Sequence, residues 1–552
     1  MAEFFNFSGF PITQNVWLVL GLALAAVSLF FYYGKKDSVA LLLLTLGGLC
    51  LYVFSALSDP FLNFWDERFH ALVAKNCMET PLMPRLYPEL PITECNPLGW
   101  THAYVWLHKP PLFLWQIALS FKLFGVSEFT LRLPSVMMAT LMIPLCYRIG
   151  KLFVDKRLAY YTAFSSAFSW FLLDLVSGHG VCEHNNVCFV FYVTASVWSW
   201  MEYVHGGRKW FWALCTGLLS GCAVLTKWLT GLLVYLVWGV YLLSEYRSRL
   251  KEWRIPQVLA SLAITLVLVL SWQLFTFKAY PEVAWVEMKY NSLHLFQALE
   301  DHQQEYDFYL ETLPFIYIGD KDYVYHQMTS EAIHLNLKRV INILLLLVGL
   351  GLLVWRSGKM SKRIPLVVTV LFVYIFFSMA ATKMHGYPFC ICVVGFMSLG
   401  MICCCLEEVI QKVIKNRVAT FAVWFPLMVF AALYQFNFTW YRQNHLDKYI
   451  WWRPGTINNV QSFKALKRIL PEKTVLFNVR GADDWGFHCT PVEAMFYSDA
   501  ICYSFTPTEE QLQLLKEQGY HIAVLTHLPV PQFMQEDDEV EKIDGIEILY
   551  DF

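Results

Sequence analysis

Residues 256–277 read PQVLASLAITLVLVLSWQLFTF, an apolar run without a charged side chain. A helix needs about 20 consecutive, mostly apolar residues to cross the hydrocarbon core of a bilayer, which is about 30 Å thick. This run therefore predicts a transmembrane helix. Similar runs recur along the first 434 residues. One such run is compatible with the core helix of a soluble domain, whereas a dozen predict a membrane protein.

The recurrence of these runs defines the predicted fold class, a polytopic α-helical membrane protein of about twelve transmembrane helices. The predicted spans are residues 14–33, 40–57, 133–150, 158–176, 185–203, 209–225, 227–243, 256–277, 338–356, 364–380, 387–405 and 418–434. Composition agrees, because 57% of the 552 residues are hydrophobic and 16% are charged, against about 25% charged in ordinary soluble domains. No lysine or arginine precedes the first run, so a helix is predicted there and not a cleaved signal peptide.

The distribution of lysine and arginine predicts the orientation of the chain. These residues concentrate in short connections such as 247–254 and 356–363, which face the cytoplasm by the positive-inside rule. The apolar run 111–125 is short and contains a lysine, so we predict a helix at the outer interface of the membrane instead of a span. Trp451 and Trp452 are interpreted as an interfacial aromatic anchor.

Three segments are then predicted to lie outside the cytoplasm. Residues 1–434 form a predicted transmembrane domain with external loops 58–132 and 278–337, and residues 435–552 form a predicted soluble domain. A helical pattern across residues 508–518 and several β-rich runs predict a small α/β fold for this second domain. The predicted strands are residues 475–479, 495–497 and 522–525.

The densest polar cluster outside the predicted spans follows the second span and contains Trp65, Asp66, Glu67 and Arg68. Two adjacent carboxylates and an arginine just past the membrane boundary are unusual, and they favour a functional site. Trp65 would then line the substrate pocket. An ordinary solvated start of a loop, with an Asp–Arg pair, explains the same spacing.

Two further positions in the predicted external loops carry charge. Lys109 precedes Pro110, Pro111 and the interfacial helix, where a lysine can meet a lipid phosphate. Snorkelling of an interfacial lysine is the common alternative. Glu183 lies beside His184 at the outer end of a predicted helix pair. A histidine in such a position is more often a loop residue than a ligand, so no metal site is assigned.

The chain has fifteen cysteines, but they do not predict a disulfide framework. Many lie in or near apolar helices, where cysteine behaves as a small hydrophobic residue. Cys77 with Cys95, and Cys489 with Cys502, lie in predicted external segments. These two pairs are candidates for disulfides in an oxidising compartment.

Five short motifs follow one another over roughly residues 40–400. They are Trp65-Asp66-Glu67, Lys109-Pro110-Pro111-Leu112, Leu131-Arg132-Leu133-Pro134-Ser135, Leu225-Thr226-Lys227, and Thr382-Lys383 with Tyr387. In this order they resemble the superfamily of protein O-mannosyltransferases and bacterial aminoarabinose (lipid A) transferases. The resemblance implies a GT-C fold, a polyprenyl or dolichyl phosphate sugar donor, and an acceptor on the far side of the membrane.

The resemblance also implies roles for single residues. Asp66 matches the catalytic aspartate of the family, and Lys109 matches the lysine that contacts the lipid phosphate. Glu183 falls where relatives have a second external acid, usually aspartate. Tyr387 matches a pocket tyrosine. His302 is similar to the histidine of a third-loop pattern, although the arginine often found in that loop is absent.

The predicted activity is the transfer of one sugar from a polyprenyl phosphate to an extracytoplasmic acceptor, with inversion of configuration. Asp66 would act as the general base, and Glu67 and Glu183 would stabilise charge on the sugar or hold the acceptor. Lys109, helped by Arg68, would offset the charge that grows on the departing phosphate. Lipid A, another glycolipid or glycan, and protein stay open as acceptors.

Charge and its position bear on the other classes of function. The formal net charge of −2 argues against a nucleic-acid partner. No cofactor is predicted, with a divalent metal as the alternative. A transporter or flippase would carry ionisable groups near the bilayer midplane, whereas the conspicuous charges here lie in the predicted external loops. The presence of Asp66, Lys109 and Glu183 in these loops also disfavours a non-catalytic membrane scaffold. We predict a multi-pass protein of the plasma membrane, of the bacterial inner-membrane type, with its site and C-terminus outside the cytoplasm.

Overall fold

The structure is a computed structural model that describes residues 8–92, 100–179, 184–245, 255–299, 302–318, 337–446, 450–481 and 489–549. Within these residues, ten helices are long and apolar enough to cross a membrane. One of the ten, Lys209–Ser244, contains two of the predicted spans, and the predicted span 158–176 corresponds to two shorter helices. The prediction of a polytopic α-helical membrane protein is therefore confirmed.

The helices at the predicted spans are Ile12–Tyr33, Asp37–Ala56, Glu128–Phe153, Lys156–Ala167 with Trp170–Ser177, Asn186–His205, Lys209–Lys227, Leu233–Ser244, Ile255–Ala279, Leu337–Arg356, Met360–Met379, Cys392–Val413 and Arg417–Phe436. The helices between them are Asp66–Cys77, Leu112–Phe124, Pro281–Leu293, Phe308–Ile318 and Phe438–His445. A helix of 20 residues is about 30 Å long, which matches the hydrocarbon core of a bilayer. A helix is also present where the sequence predicts the interfacial one.

The predicted spans 209–225 and 227–243 form two helices, and the chain reverses between them. Trp228 has a left-handed φ of 65° and begins a short 3-10 helix. The hydroxyl of Ser220 donates to the carbonyl of Gly231 at 2.8 Å. In one straight helix these two residues would be about 16 Å apart. The reversal therefore separates one long apolar stretch into two elements, as predicted.

Glycine allows the first two membrane helices to approach closely. A Cβ atom on Gly21 would lie 2.9 Å from the carbonyl oxygen of Gly47, and a Cβ atom on Gly47 would lie 3.0 Å from the carbonyl oxygen of Gly21. Small residues at such crossings let transmembrane helices pack backbone against backbone. A larger side chain at either position would force these helices apart.

The chain divides into two compact units. The first consists of Met1–Ser58, Ser135–Ala279 and Met288–Asn444. The second consists of Asp59–Pro134, Tyr280–Glu287 and His445–Phe552. The segment that follows the second membrane helix therefore belongs to the same compact unit as the C-terminal segment, an association that the sequence does not reveal. The predicted domain boundary after residue 434 stays a prediction.

The C-terminal part of the second unit is built on a four-stranded parallel sheet. Its strands are β1 (Thr474–Phe477), β2 (Ile501–Cys502), β3 (His521–Leu525) and β4 (Val540–Ile543). Their order is β2-β1-β3-β4. Parallel strands need crossover connections, which are usually helices, and the helices of this region are Arg453–Ile469, Cys489–Ser498, Glu509–Glu517 and Gln532–Gln535. The predicted small α/β fold is therefore confirmed.

The secondary structure of this region differs from the prediction in places. Residues 495–497, predicted to be a strand, lie in the helix Cys489–Ser498. Every residue of that helix is buried, and a short apolar run cannot be told from a buried helix by periodicity. The prediction was wrong there, and β2 and β4 were not predicted. The predicted helix after Thr508 is present and begins with a capping box between Thr508 and Gln511.

Candidate functional site

Asp66 is the first residue of the helix Asp66–Cys77 and is half-buried in the second unit. The preceding residue, Trp65, has φ 60° and ψ −117°. This is a positive φ that a bulky side chain rarely adopts. Strain of this kind persists only where the surroundings enforce it, and it clusters at functional sites. The strained residue directs the chain into the helix, so that Asp66 lies at the positive end of the helix dipole.

Glu67 is fully buried and is held by Arg132. Arg132 Nε donates to Glu67 Oε1 at 2.7 Å, and Nη2 donates to Oε2 at 2.9 Å. The amide N–H of Asn63 donates to Oε2 at 2.7 Å. Neither side chain of the ion pair is exposed. Both carboxylate oxygens therefore accept from protein donors, and Glu67 ties the turn before Asp66 to the helix that carries Arg132.

Asp59 extends this buried network. Arg132 also donates to the main-chain carbonyl groups of Asp59 and Phe61, each at 2.7 Å. The Asp59 carboxylate accepts from His445 Nδ1 at 2.9 Å and pairs with Arg453. Burial by itself raises the pKa of Asp59, but the positive charges of His445 and the two arginines hold the pKa well below its usual range. The network thus fixes both ends of the turn that precedes Asp66.

Acid should weaken the second unit through Asp59. Because the pKa of Asp59 is depressed in the folded protein, its pairing adds stability above the unfolded pKa of about 4, and that stability is lost as the pH falls below this value. We expect Asp59→Asn to lower the free energy of unfolding by about 3–5 kcal/mol at neutral pH, since it breaks a buried pair. The difference in melting temperature in detergent between wild type and variant should shrink progressively as the pH falls below about 4. A difference independent of pH would contradict this.

Arg68 is buried as well, and its Nη2 lies 2.9 Å from Glu493 Oε2, with 3% and 1% of the two side chains exposed. Glu493 belongs to the helix Cys489–Ser498 of the α/β fold. The guanidinium also lies over the ring of Phe64, 4.8 Å from its centroid. The contact that the structure shows for Arg68 is therefore an internal ion pair, and its predicted contact with a donor phosphate stays a prediction.

Trp100 connects the turn at Asp66 with the segment that carries Lys109. The ring centroids of Trp65 and Trp100 are 6.0 Å apart. Those of Trp100 and His108 are 4.7 Å apart, with the rings nearly parallel. Asp66 follows Trp65 and Lys109 follows His108 in the chain, so the structure brings two predicted site segments together against one tryptophan.

Lys109 is half-buried, and the residue before it, His108, is held by a contact with Glu287. His108 Nδ1 lies 3.2 Å from Glu287 Oε2, and both side chains are buried. Two prolines and the helix Leu112–Phe124 come directly after Lys109, and proline restricts the backbone of the residue before it. The main chain of Lys109 is therefore held on both sides, which limits where its ammonium group can reach.

In the first unit, Lys227 and Tyr387 are neighbours. Lys227 Nζ donates to Asn186 Oδ1 at 2.6 Å and lies 4.9 Å from the centroid of the Tyr387 ring. Lys227 is the last residue of its helix, directly before the strained Trp228. Two of the five sequence motifs, separated by more than a hundred residues, thus meet at this point.

The loop of His302 reaches the segment that leads to Tyr387. The amide N–H of Lys383 donates to the His302 carbonyl at 3.1 Å, and Lys383 Nζ donates to the Gln304 carbonyl at 3.1 Å. Burial, and to a smaller extent the charge of His302, lowers the pKa of His385 to about 3. His385 is therefore neutral at physiological pH. The predicted pocket residues His302 and Tyr387 lie on paired segments of the first unit.

Some predicted residues lie outside the part of the chain that the structure describes. Glu183 is one of them, so its predicted role has no structural counterpart here, and Cys95 is another. Cys77 and Cys502 are free thiols, so the candidate disulfide between Cys489 and Cys502 is not formed. Burial raises the pKa of Cys77 and of Cys502 to about 12, which keeps both in the unreactive thiol form.

The sequence assigned no role to the charged residues that hold the turn before Asp66. Arg132 was singled out only as part of a motif, and Asp59 was not singled out. Arg453 follows the tryptophan pair that was interpreted as an interfacial anchor. Trp452 instead packs against Phe64, with ring centroids 4.9 Å apart, and Arg453 is buried. Its role depends on a partner almost 400 positions earlier, which local sequence cannot identify.

Comparison with known proteins identifies related sequences for part of the chain. Residues 108–272 match the model of the family described as dolichyl-phosphate-mannose-protein mannosyltransferase. A protein of Aquifex aeolicus (strain VF5), described as uncharacterized, is 28% identical over 121 residues. These residues are 22% of this chain and 23% of that protein. The chain thus spans about a quarter of the length of the curated relative that it matches.

Solved structures of ArnT from Cupriavidus metallidurans share the fold. The apo structure is 15% identical with a TM-score of 0.55, over 84% of this chain and 85% of that one. The structure bound to undecaprenyl phosphate is 15% identical with a TM-score of 0.56, over 85% and 86%. At this identity the likeness shows the fold and not the activity. The fold that the resemblance implies is thereby confirmed.

Proposed function

We propose that this chain, which has the fold of a GT-C glycosyltransferase, transfers one sugar from a polyprenyl phosphate to an acceptor outside the cytoplasm. The match to a mannosyltransferase family supports sugar transfer, and the ArnT structure with undecaprenyl phosphate supports a polyprenyl phosphate carrier. Lys35 and Lys36 precede the helix Asp37–Ala56, whose far end leads to Asp66. This arrangement supports an extracytoplasmic position for Asp66.

The observation that carries the proposal is the approach of the Asp66 and Lys109 segments against Trp100. Transfer of a sugar from a phosphate needs a base for the acceptor proton and a cation for the departing phosphate. The two segments supply one group of each kind. Both groups are half-buried, so they are accessible to a substrate but partly shielded from bulk water.

In the proposed reaction an oxygen of the acceptor attacks the anomeric carbon of the sugar. The bond from that carbon to the phosphate oxygen breaks, its electron pair stays on the polyprenyl phosphate, and Asp66 takes the acceptor proton. A single displacement of this kind inverts the configuration. The strained φ of Trp65 supports a positioning role for that residue, because it fixes the direction from which Asp66 enters the site.

For two predicted residues we propose roles other than the predicted ones. Glu67 is a positioning residue, since its carboxylate is occupied by Arg132 and Asn63. Arg68 attaches the Asp66 helix to the α/β fold through Glu493. Lys109 is left as the cation for the donor phosphate. For Tyr387, His302 and Glu183 the proposed roles in the pocket rest on the resemblance alone, and so does the absence of a cofactor.

Replacing Lys109 distinguishes two hypotheses, that Lys109 binds the donor phosphate and that it is only a snorkelling lysine at the membrane interface. Lys109→Ala should lower kcat by about 10²–10³, the usual effect of removing one donor that stabilises developing negative charge, and should raise KM for the lipid donor. Lys109→Arg should restore only part of the activity, because a planar guanidinium does not reproduce a compact ammonium. The measurement is steady-state transfer in nanodiscs, with elution as a single species as the check on folding.

Lys122 provides the matched control for Lys109. It is exposed on the helix Leu112–Phe124, which directly follows the two prolines. Lys122→Ala removes the same charge from the same membrane-interface element and should leave kcat and KM near wild type. Equal kinetics in wild type and Lys109→Ala would remove Lys109 from the site.

The proposed function is tested by supplying the donor directly. Membranes that contain the protein are incubated with a panel of polyprenyl phosphate sugars, and mass spectrometry then identifies the modified molecule. We expect one donor to give an acceptor heavier by one sugar residue, with no such product in membranes that lack the protein. Movement of an intact lipid-linked sugar across the bilayer, without cleavage, would instead assign the chain to the flippases.

A further inference from the structure

The first unit contains a cavity of about 440 Å³ among its membrane helices. Its size falls within the range of roughly 300–1,000 Å³ that is usual for ligand sites. The helices Asn186–His205, Leu233–Ser244, Met360–Met379 and Cys392–Val413 provide most of the wall. Away from one end the wall is mainly aliphatic and aromatic, with Thr194 and Thr369 among its polar side chains. Such a wall fits a hydrocarbon chain.

The cavity extends over the depth of about one bilayer leaflet. On the helix Asn186–His205 its lining runs from Val193 to His205, and 12 residues of helix rise about 18 Å. On the neighbouring helix it runs from Leu233 to Glu245, which is the same distance. Half of the hydrocarbon core of a bilayer is about 15 Å thick. The length of the cavity therefore matches one acyl chain of a lipid and not a chain that crosses the membrane.

One end of the cavity is basic. Lys359 and Lys362 line it there, together with Glu245 and His205. Lys362 Nζ donates to the carbonyls of Leu152 and Phe153 at 2.9 and 2.6 Å, which fixes its ammonium group at the rim. Lys359 is exposed. With neutral histidine, the two lysines and one glutamate leave a net charge of +1 at this end.

The backbone adds to this positive field. The helix Met360–Met379 begins directly after Lys359, and no side chain caps its first turn. The first amide groups of a helix carry partial positive charge and favour phosphate. The lining at this end includes Glu245 and Lys359, which in the sequence stand next to or within the Lys- and Arg-rich stretches 247–254 and 356–363. An anionic headgroup at this end would thus lie at the level of the lipid headgroups of that leaflet.

We propose that this cavity holds one acyl chain of an anionic glycerophospholipid, whose phosphate lies at Lys359 and Lys362. The bound lipid is a structural ligand that fills the space between four membrane helices. Its phosphate would lie at the start of the helix Met360–Met379, whereas Tyr387 follows the end of that helix. The inference does not depend on the proposed sugar transfer. Because such a lipid binds the folded protein only, it should raise the melting temperature.

The test measures binding of a phosphatidylglycerol with palmitoyl and oleoyl chains to delipidated protein in detergent, by native mass spectrometry. Phosphatidylcholine with the same chains is the comparison lipid. Two sets of variants address the two halves of the site: Val197→Phe with Val394→Phe reduces the cavity volume, and Lys359→Gln with Lys362→Gln removes the charges. The control is Lys412→Gln with Lys415→Gln, since both of these lysines are exposed in another basic connection.

We expect wild type and control to bind phosphatidylglycerol in preference to phosphatidylcholine. Both sets of variants should bind phosphatidylglycerol at least about tenfold more weakly. For the charge variants this is the order expected when a hydrogen bond to a charged group is lost, and for the cavity variants the reason is that the acyl chain no longer fits. Equal binding of the two lipids by wild type would overturn the proposal. Unchanged binding in the cavity-reduced protein, or an equal loss in the control, would overturn it too. If a variant elutes as an aggregate, the two-lipid comparison on wild type decides.

Discussion

Asp66→Asn should lower sugar transfer by about 10²–10⁴-fold, the usual contribution of a positioned general base. Asparagine has nearly the same shape as aspartate and can stay at the start of the helix Asp66–Cys77, but it cannot take a proton from the acceptor. The loss should therefore appear in kcat, while KM for the lipid donor changes little. Steady-state transfer with purified donor in nanodiscs measures both constants.

Glu79 supplies the control for Asp66. It lies two residues beyond the end of the same helix, and its side chain is largely exposed. Glu79→Gln makes the same chemical change outside the proposed site and should leave transfer near the wild-type rate. Wild-type transfer by Asp66→Asn, in protein that elutes as one species, would exclude Asp66 as the base.

Glu67→Gln should destabilise the second unit by about 3–5 kcal/mol, because it breaks a fully buried ion pair and leaves Arg132 without its anion. The neighbouring carboxylate, Asp66, carries the proposed chemistry, so these two adjacent residues should respond in opposite ways. The melting temperature in detergent, read from the near-ultraviolet signal of the tryptophans, reports the change. Transfer by the fraction that stays folded should be reduced far less than in Asp66→Asn.

An exposed ion pair of the second unit is the comparison for Glu67. Lys464 pairs with Glu128 at 2.8 Å, and 47% of the Lys464 side chain is exposed. Lys464→Ala should change stability by about 1 kcal/mol or less, because water already screens this pair. If Glu67→Gln were as stable as wild type and yet inactive, the catalytic role predicted from the sequence would replace the positioning role.

The membrane part of the fold could be predicted because each helix has to be long and apolar on its own. Residues 256–277 identify a span without reference to any partner. The same local criterion failed for residues 495–497, where burial on all sides makes a short helix look like a strand. Strand β2, with two residues, gives too short a pattern to recognise. The sequence did not predict that the segment after the second span joins the C-terminal fold.

The candidate site could be predicted only in part. The motifs identified Asp66, Lys109 and Tyr387, but adjacent carboxylates do not reveal which one is occupied by a protein partner. The pairing of Glu67 with Arg132 joins residues 65 positions apart. That contact exists only in the folded chain, so the sequence assigned both carboxylates to catalysis.

The most direct test of the central claim is the stoichiometry of a single reaction. Purified protein is incubated with a polyprenyl phosphate sugar labelled in the sugar, with and without the acceptor identified in membranes. We expect free polyprenyl phosphate to be released only when the acceptor is present, in an amount equal to the sugar found on the acceptor, and we expect Asp66→Asn to suppress both together. Release that does not depend on the acceptor, or acceptor modification without release, would contradict it.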